Sequence, residues 1–495
     1  MTPDDEMMAH PFAALDAEID PADPIASLRA GLIGEGTLIP GPFGPKPLIY
    51  ADYTASGRAL QQIETFVMDH VLPYYANSHT EASFCGQRMT LMRRAARAQV
   101  AQSCGAGPAH AVIFCGSGAT AGINRLVALL GAGPGTRVIL GPYEHHSNIL
   151  PWRESGAEVI ELDEDPDGGP DRAGLAAALA EAQAETQGRR VICAFSAASN
   201  VTGTVSDIEG LTRQVRAAGA RMVWDYAGGG PYLPIRMDAA PDARIDAVVV
   251  SPHKFVGGPG ASGVLVLRRD AVVATRPTWP GGGTVRFVSP QGHDYATGLE
   301  AREEAGTPNI IGDIRAALTF RVKDLIGMPR LDRANAALVG AAMVAWQGNP
   351  RIRLLGRLQG PRLPIFAFRL RDPRGGFVHQ QLVTRLLSDR YGIQARGGCA
   401  CAGPYVHRLL GIGPAESARL RRAILAGQEV EKPGFVRLNL SPLMTRDKVA
   451  TILSAVTELA ALAPGLACDY RCDPARAIFS PDPAGPSFAG IPHSI

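Results

Sequence analysis

Between residue 48 and about 325, short apolar runs alternate with longer segments whose apolar residues recur at helical spacing. After a first strand at Leu48–Tyr53, the runs 111–115, 137–141, 157–162, 190–196, 220–224, 246–251 and 262–268 predict further strands. The segments 57–73, 86–103, 120–131, 172–186, 207–218 and 312–325 predict helices, and Ser206 with Glu209 has the spacing of a capping box. Strands that alternate with helices predict a mostly parallel sheet covered on both faces. Beyond about 330 the pattern changes. A helix at 332–346 precedes strands near 364–370, 392–396 and 434–440, with helices near 377–390, 414–426 and 447–462. The expected division is an N-terminal arm (1–47), a large α/β domain (48–325), a smaller α+β domain (326–465) and a Pro-rich tail (466–495) lying on the surface.

Composition narrows the class. A chain of 495 residues exceeds what one core normally serves, and 46% hydrophobic with 19% charged residues describes a globular protein. Lys and Arg total 49 against 47 Asp and Glu, which gives no reason to expect a nucleic-acid footprint or a membrane-binding basic face. No apolar run approaches the roughly 18 residues of a membrane span. Asp4, Asp5 and Glu6 give the start the wrong sign for a secretory signal, so a cytoplasmic protein is expected. Eight cysteines over this length do not make a disulfide scaffold. Cys104, Cys115 and Cys193 sit in or beside apolar runs and are expected in the core. Cys399 and Cys401 form a close pair, but their spacing to Cys468 and Cys472 matches no common zinc motif, and no metal is expected.

The chain has five lysines: Lys46, Lys254, Lys323, Lys432 and Lys448. Four lie in loops or on what reads as polar helix surface. Lys254 instead follows the run Ala247–Val250 and precedes Phe255-Val256-Gly257-Gly258-Pro259-Gly260. A lysine leaving a buried strand is desolvated, which lowers its pKa toward the nucleophilic amine. Such an amine condenses with an aldehyde cofactor; alternatively, a strand-end lysine snorkels to water. Arg221-Met222-Val223-Trp224-Asp225 is a second strand ending in an acid, and neighbouring strand ends would bring Asp225 and Lys254 to one sheet edge. A carboxylate there can pair with a pyridine nitrogen, although a strand-end Asp is more often a turn former. Gly116-Ser117-Gly118-Ala119-Thr120 enters a helix and offers small residues, hydroxyls and a helix N-terminus to a phosphate. Glu144-His145-His146-Ser147-Asn148 supplies an imidazole that can lie on a cofactor ring, or a loop histidine with no task.

Together these segments resemble the class V aminotransferase superfamily, and within it the cysteine desulfurase and selenocysteine lyase branch, from about residue 48 to 463. The resemblance implies a type I pyridoxal 5'-phosphate-dependent transferase fold. Ser251-Pro252-His253-Lys254 is similar to the family's S-x-H-K, which makes Lys254 the Schiff-base lysine and sets Ser251 and His253 on the phosphate. Gly118-Ala119-Thr120 resembles the phosphate turn. Glu144 to Trp152 resembles E-H-H-x-N-x-x-P-W, whose first histidine, here His145, stacks on the ring. Ser199-Asn200-Val201-Thr202-Gly203 is similar to a turn whose Asn lies near cofactor and substrate carboxylate. Ala305-Gly306-Thr307-Pro308-Asn309 resembles A-G-T-P-N, whose Thr reaches the neighbouring subunit's phosphate, so Thr307 implies a homodimer. Arg437 resembles the arginine that clamps the substrate carboxylate. Arg396-Gly397-Gly398-Cys399-Ala400-Cys401 resembles the desulfurase loop R-x-G-x-x-C, with Arg396 a second carboxylate contact and Cys401 the sulfur acceptor.

Two departures stand out. Gly228 occupies the place of the Gln that usually follows the pyridine-binding Asp by three residues, and Cys399 stands where His is common, a C-x-C arrangement reminiscent of molybdenum-cofactor sulfurases. The implied activity is C–S or C–Se cleavage of an amino acid such as cysteine, giving alanine and a persulfide on Cys401 for a sulfur-acceptor protein. The alternatives are an aminotransferase, epimerase or other lyase on the same fold, and an inactive sulfur carrier or scaffold.

Overall fold

The computed structural model describes residues 10–78, 81–184 and 190–487. Residues 1–9 of the expected arm, 185 and 186 of one expected helix and 488–495 of the expected tail lie outside the described residues. The chain forms two compact units. The first takes the described residues up to Ile33, then Ser56–Ser199 and Val205–Asp332; the second takes Gly34–Ala55, Asn200–Thr204 and the described residues from Arg333 onward.

In the first unit the apolar runs become β1 (His110–Phe114), β2 (Thr136–Leu140), β3 (Glu158–Glu161), β4 (Arg190–Ser196), β5 (Arg221–Asp225), β6 (Ala247–Val250) and β7 (Val264–Arg268). They form one sheet in the order β1-β7-β6-β5-β4-β2-β3. The pairs β2–β3, β2–β4, β4–β5 and β5–β6 are parallel, whereas β7 runs antiparallel to both β1 and β6. Burial on both faces explains why β6 is an unbroken apolar run and why β1 after His110 and β2 after Arg137 are apolar rather than alternating. The connecting helices include α1 (Phe84–Ser103), α2 (Gly118–Leu129), α3 (Arg172–Ala184), α4 (Ile208–Ala217) and α5 (Ile310–Ile326).

Several local expectations are corrected. Asp207, not Ser206, caps α4 by accepting from Gly210 N at 3.0 Å, because the helix begins at Ile208, one residue later than a Ser206 cap would start it. The expected helix at 57–73 is regular only over Gln61–Phe66. It widens into a π turn at Val67–Val71 and tightens at Leu72–Tyr74, where Pro73 has no N–H to continue the ladder. Leu48–Tyr53 is not one strand: Lys46–Pro47 pairs with Leu38–Ile39, and Ile49–Tyr50 pairs in parallel with Ile393–Gln394.

The second unit contains β8 (Ile352–Leu354), β9 (Ile365–Leu370), β10 (Arg396–Gly398) and β11 (Phe435–Asn439), ordered β8-β9-β11-β10 and antiparallel throughout. The helices α6 (Gln380–Tyr391) and α7 (Arg446–Leu466) enclose its core with Trp346, Phe366 and Phe368. With its flanking turn, α7 is long and apolar enough to cross a membrane by length and composition, which corrects the reading that no segment qualifies. One face of it, from Val449 through Ile452, Val456 and Leu459 to Ala463, belongs to the core. The tail is more than a surface strand. Tyr470–Asp473 pairs with Ile478–Pro481, and the buried Tyr470 donates its hydroxyl to Asp389 at 2.9 Å.

Candidate active site

Because β5 and β6 are parallel neighbours with Asp225 paired to Val249, Asp225 and the turn Pro252–Lys254 leave the sheet at the same edge. Asp225 is buried and accepts a hydrogen bond from Ala227 N at 2.7 Å. Burial raises its pKa, opposed by that bond and by the positive field of Lys254. Lys254 is half-buried rather than immersed in solvent, and its charge also reaches His253. Burial first, then Lys254, lowers the His253 imidazole to about 4, so it is neutral at physiological pH. The turn is pinned from outside by Gly57, whose N donates to His253 O at 2.9 Å.

The turn Gly116–Thr120 lies beside it. α2 starts here: Gly118 N donates to Gly116 O at 2.8 Å, and Ala119 N donates to the buried Ser251 Oγ at 3.0 Å. Gly118 has φ +65°, and a Cβ there would stand 2.8 Å from both His253 Cε1 and Ser251 Oγ, so the cradle admits no side chain. Thr120 is joined to Ser147 Oγ at 2.7 Å, and Ser147 Oγ to His145 Nδ1 at 3.0 Å. Gly118, Ala119, Thr120, Ser251, His253, Lys254, Asp225 and His145 thus belong to one unit. Amine, acid, imidazole and helix N-terminus are the groups that pyridoxal phosphate requires, and the residues fit it. Thr307 lies exposed in the loop before α5.

In the second unit, Arg396 and Arg437 are directly opposed across β10 and β11. Arg437 is buried, donating from Nη2 to Asp52 Oδ1 at 2.8 Å and from Nη1 to Asn200 O at 3.1 Å. Arg396 Nε donates to the other oxygen of Asp52 at 2.9 Å. Asn200 Nδ2 donates to Ala400 O at 3.0 Å, which ties it to the cysteine loop. Cys401 is exposed, Cys399 half-buried, and both Ala400 and Cys401 have left-handed backbones at φ 50° and 54°. Such angles strain a residue that carries a Cβ.

Sequence reasoning missed three groups. Asp52 holds both arginines, although its hydrogen-bond partners lie 344 and 385 residues away along the chain. Glu144 is a buried carboxylate that accepts from Asn148 Nδ2 at 2.5 Å, Ser196 N at 2.8 Å and Ser196 Oγ at 2.7 Å; Trp152 Nε1 in turn donates to Asn148. The other members of the Glu144–Trp152 motif therefore build a hydrogen-bonded support under the histidine loop. Lys323 is not on a polar helix surface as expected. It is buried, donates to Gly230 O at 2.6 Å and to Leu233 O, and burial lowers it to about 8. It fastens the glycine loop containing Gly228. The three expected core thiols are buried, with Cys104 and Cys115 pushed up to about 12.

The family profile of class V aminotransferases matches residues 49–451. A cysteine desulfurase of Serratia proteamaculans is 31% identical over 368 residues, 72% of this chain and 85% of the relative. A probable cysteine desulfurase of Vibrio cholerae is 31% identical over 366 residues, 72% of this chain and 85% of the relative. Among solved structures, the apo cysteine desulfurase of Thermococcus onnurineus superposes with TM-score 0.67 at 25% identity, covering 84% of this chain and 95% of that one. The Escherichia coli cysteine desulfurase CsdA in its S-sulfonic acid form shares the fold, with TM-score 0.67 at 24% identity over 90% of this chain and 99% of that one. The chain belongs to the class V aminotransferase family of pyridoxal phosphate enzymes, in its cysteine desulfurase-like branch.

Proposed function

We propose that this enzyme cleaves the C–S bond of cysteine, or the C–Se bond of its selenium analogue, and leaves the released atom on Cys401. Pyridoxal phosphate supplies an aldehyde that condenses with amines and a ring that takes up electrons. Lys254 Nζ would hold the cofactor through its aldehyde carbon and, as a free amine, would remove the proton from the α-carbon of the bound substrate. Asp225, kept from solvent, holds a proton on the ring nitrogen. His145 holds the ring face, and Gly118, Ala119, Thr120, Ser251 and His253 hold the phosphate. Arg437, Arg396 and Asn200 hold the substrate carboxylate. The Cys401 thiolate attacks the substrate sulfur, so an S–S bond forms as the C–S bond breaks. The carbon left behind is protonated, and alanine departs. Thr307 completes the phosphate site of a second copy in a homodimer. Exposure of Cys401 suits hand-over to a sulfur-acceptor protein, and free cysteines among the described residues suit the cytoplasm.

The carrying observation is Cys401 itself: an exposed thiol on a strained loop whose tip is bonded to Asn200, on the unit that bears the paired arginines. The test is incubation of the purified enzyme with cysteine, followed by mass spectrometry of the Cys399–Cys401 peptide. Alanine should accumulate and sulfur should be added at Cys401. Cys401→Ala should stop sulfide formation while the visible absorption of the bound cofactor persists. A keto acid or an inverted α-carbon in place of alanine, or sulfur added at Cys399 instead, defeats the scheme.

A further inference from the structure

Arg396 and Arg437 face each other across an antiparallel strand pair, an arrangement in which like charges repel. Asp52 relieves it, giving one carboxylate oxygen to each guanidinium. Its position is fixed by backbone rather than by its own side chain. Asn439 N donates to Ala51 O at 2.9 Å and Thr54 N donates to Asn439 Oδ1 at 2.9 Å, so both sides of Asp52 are tied to β11. Asp52 is 8% exposed and Arg437 4%, so water screens their pairing weakly. The two arginines carry two positive charges and Asp52 one negative charge, which leaves one positive charge. Arg437 Nε and Asn200 Oδ1 remain buried with no hydrogen-bond partner, an arrangement that a bound ligand would complete.

We propose that Asp52 is a specificity-determining residue: by neutralising half of the arginine pair it leaves charge for a single carboxylate and excludes amino acids with a second acid. This rests on the reading that Arg437 and Arg396 receive the substrate carboxylate. An acidic side chain entering the same unit would meet Asp52 and find no counter-charge, whereas the uncharged side chains of cysteine and alanine meet no such penalty. Removing the Asp52 charge frees both guanidiniums and inverts that selection.

The test titrates the cofactor-loaded enzyme with L-alanine and L-aspartate, reading Kd from the change in visible absorption. The native enzyme should prefer alanine. Asp52→Asn should move the ratio of the two constants toward aspartate by about tenfold, equivalent to roughly 1.4 kcal/mol, and Asp52→Glu, which keeps the charge, should hold the native ratio. Equal ratios in all three proteins overturn the proposal. Should Asp52→Asn fail to retain cofactor, Arg396→Gln reads the same balance from the half-exposed partner and should move the ratio further toward alanine; an unmoved ratio is again fatal. Arg437→Ala separates the two levels. If it leaves both affinities intact, the carboxylate clamp itself is wrong. If it weakens both while Asp52→Asn leaves their ratio untouched, only the role of Asp52 fails.

Discussion

Glu144 offers a sign-definite test of how the sheet edge is built. Its carboxyl lies in the loop that follows β2, 3% exposed, and accepts from Asn148 and twice from Ser196. Burial outweighs those bonds and, with the negative field of Asp225 adding to it, raises the group from 4.5 to about 8. The folded protein therefore keeps a proton that the unfolded chain releases near pH 4.5. Between pH 4.5 and 8 the folded state binds more protons than the unfolded one, so stability falls as pH rises through this window. The contribution is complete below about pH 4.5 and lost above about 8. At 1.36 kcal/mol per pH unit its ceiling is about 5 kcal/mol. Glu144→Gln keeps the shape and cannot titrate. Urea unfolding of both proteins from pH 5 to 9 should show the variant gaining on the native enzyme steadily up to pH 8, then levelling. A difference that is flat across that range refutes the account, because it would mean that Glu144 is ionised in the fold at every pH tested.

Three further outcomes follow from the same geometry. Gly57→Ala places a Cβ 1.7 Å from Phe255 O and 3.3 Å from Lys254 C; both are backbone atoms, so the lysine turn must move. A loss of about 3 kcal/mol in unfolding free energy and loss of the visible cofactor absorption should appear together. Lys323→Met removes the donor to Gly230 O and Leu233 O, and should lower stability at pH 7 by about 2 kcal/mol, with faster hydrogen exchange in the loop after Asp225. Ala400→Gly removes a Cβ from a left-handed residue at φ 50° and should stabilise the protein by about 0.5–1 kcal/mol in urea unfolding; a relaxed loop would instead lose stability to glycine's freedom.

The sheet was legible because parallel strands buried on both faces are written as plain apolar runs, and the lysine turn because so few lysines compete with it. Lys323 left a signal that was passed over. Thr319, Phe320, Val322 and Ile326 around it are all buried, so almost every face of α5 at that point looks inward. Ser206 and Asp207 are both good capping residues, and local sequence does not separate them; the helix starts at Ile208, which makes Asp207 the cap. Asp52 left no signal. An acid two residues past a short strand has no mark in sequence until β10 and β11 bring two arginines to it.

These misses share a physical form. Lys323, Asp52 and Glu144 are charged or titratable groups in places where local propensity favours apolar ones, and each is explained by partners far away in sequence. In unit 1 burial raises the pKa values of the acids Asp225 and Glu144 against the hydrogen bonds that each accepts. In unit 2 the opposite choice is made: two opposed arginines are retained beside a single acid, at the expense of repulsion that a structural sheet would avoid. A fold selected for stability alone would place apolar residues at all these positions. Both units depart from that rule where their strands end or pair, the first by burying acids and the second by keeping two opposed arginines on one acid.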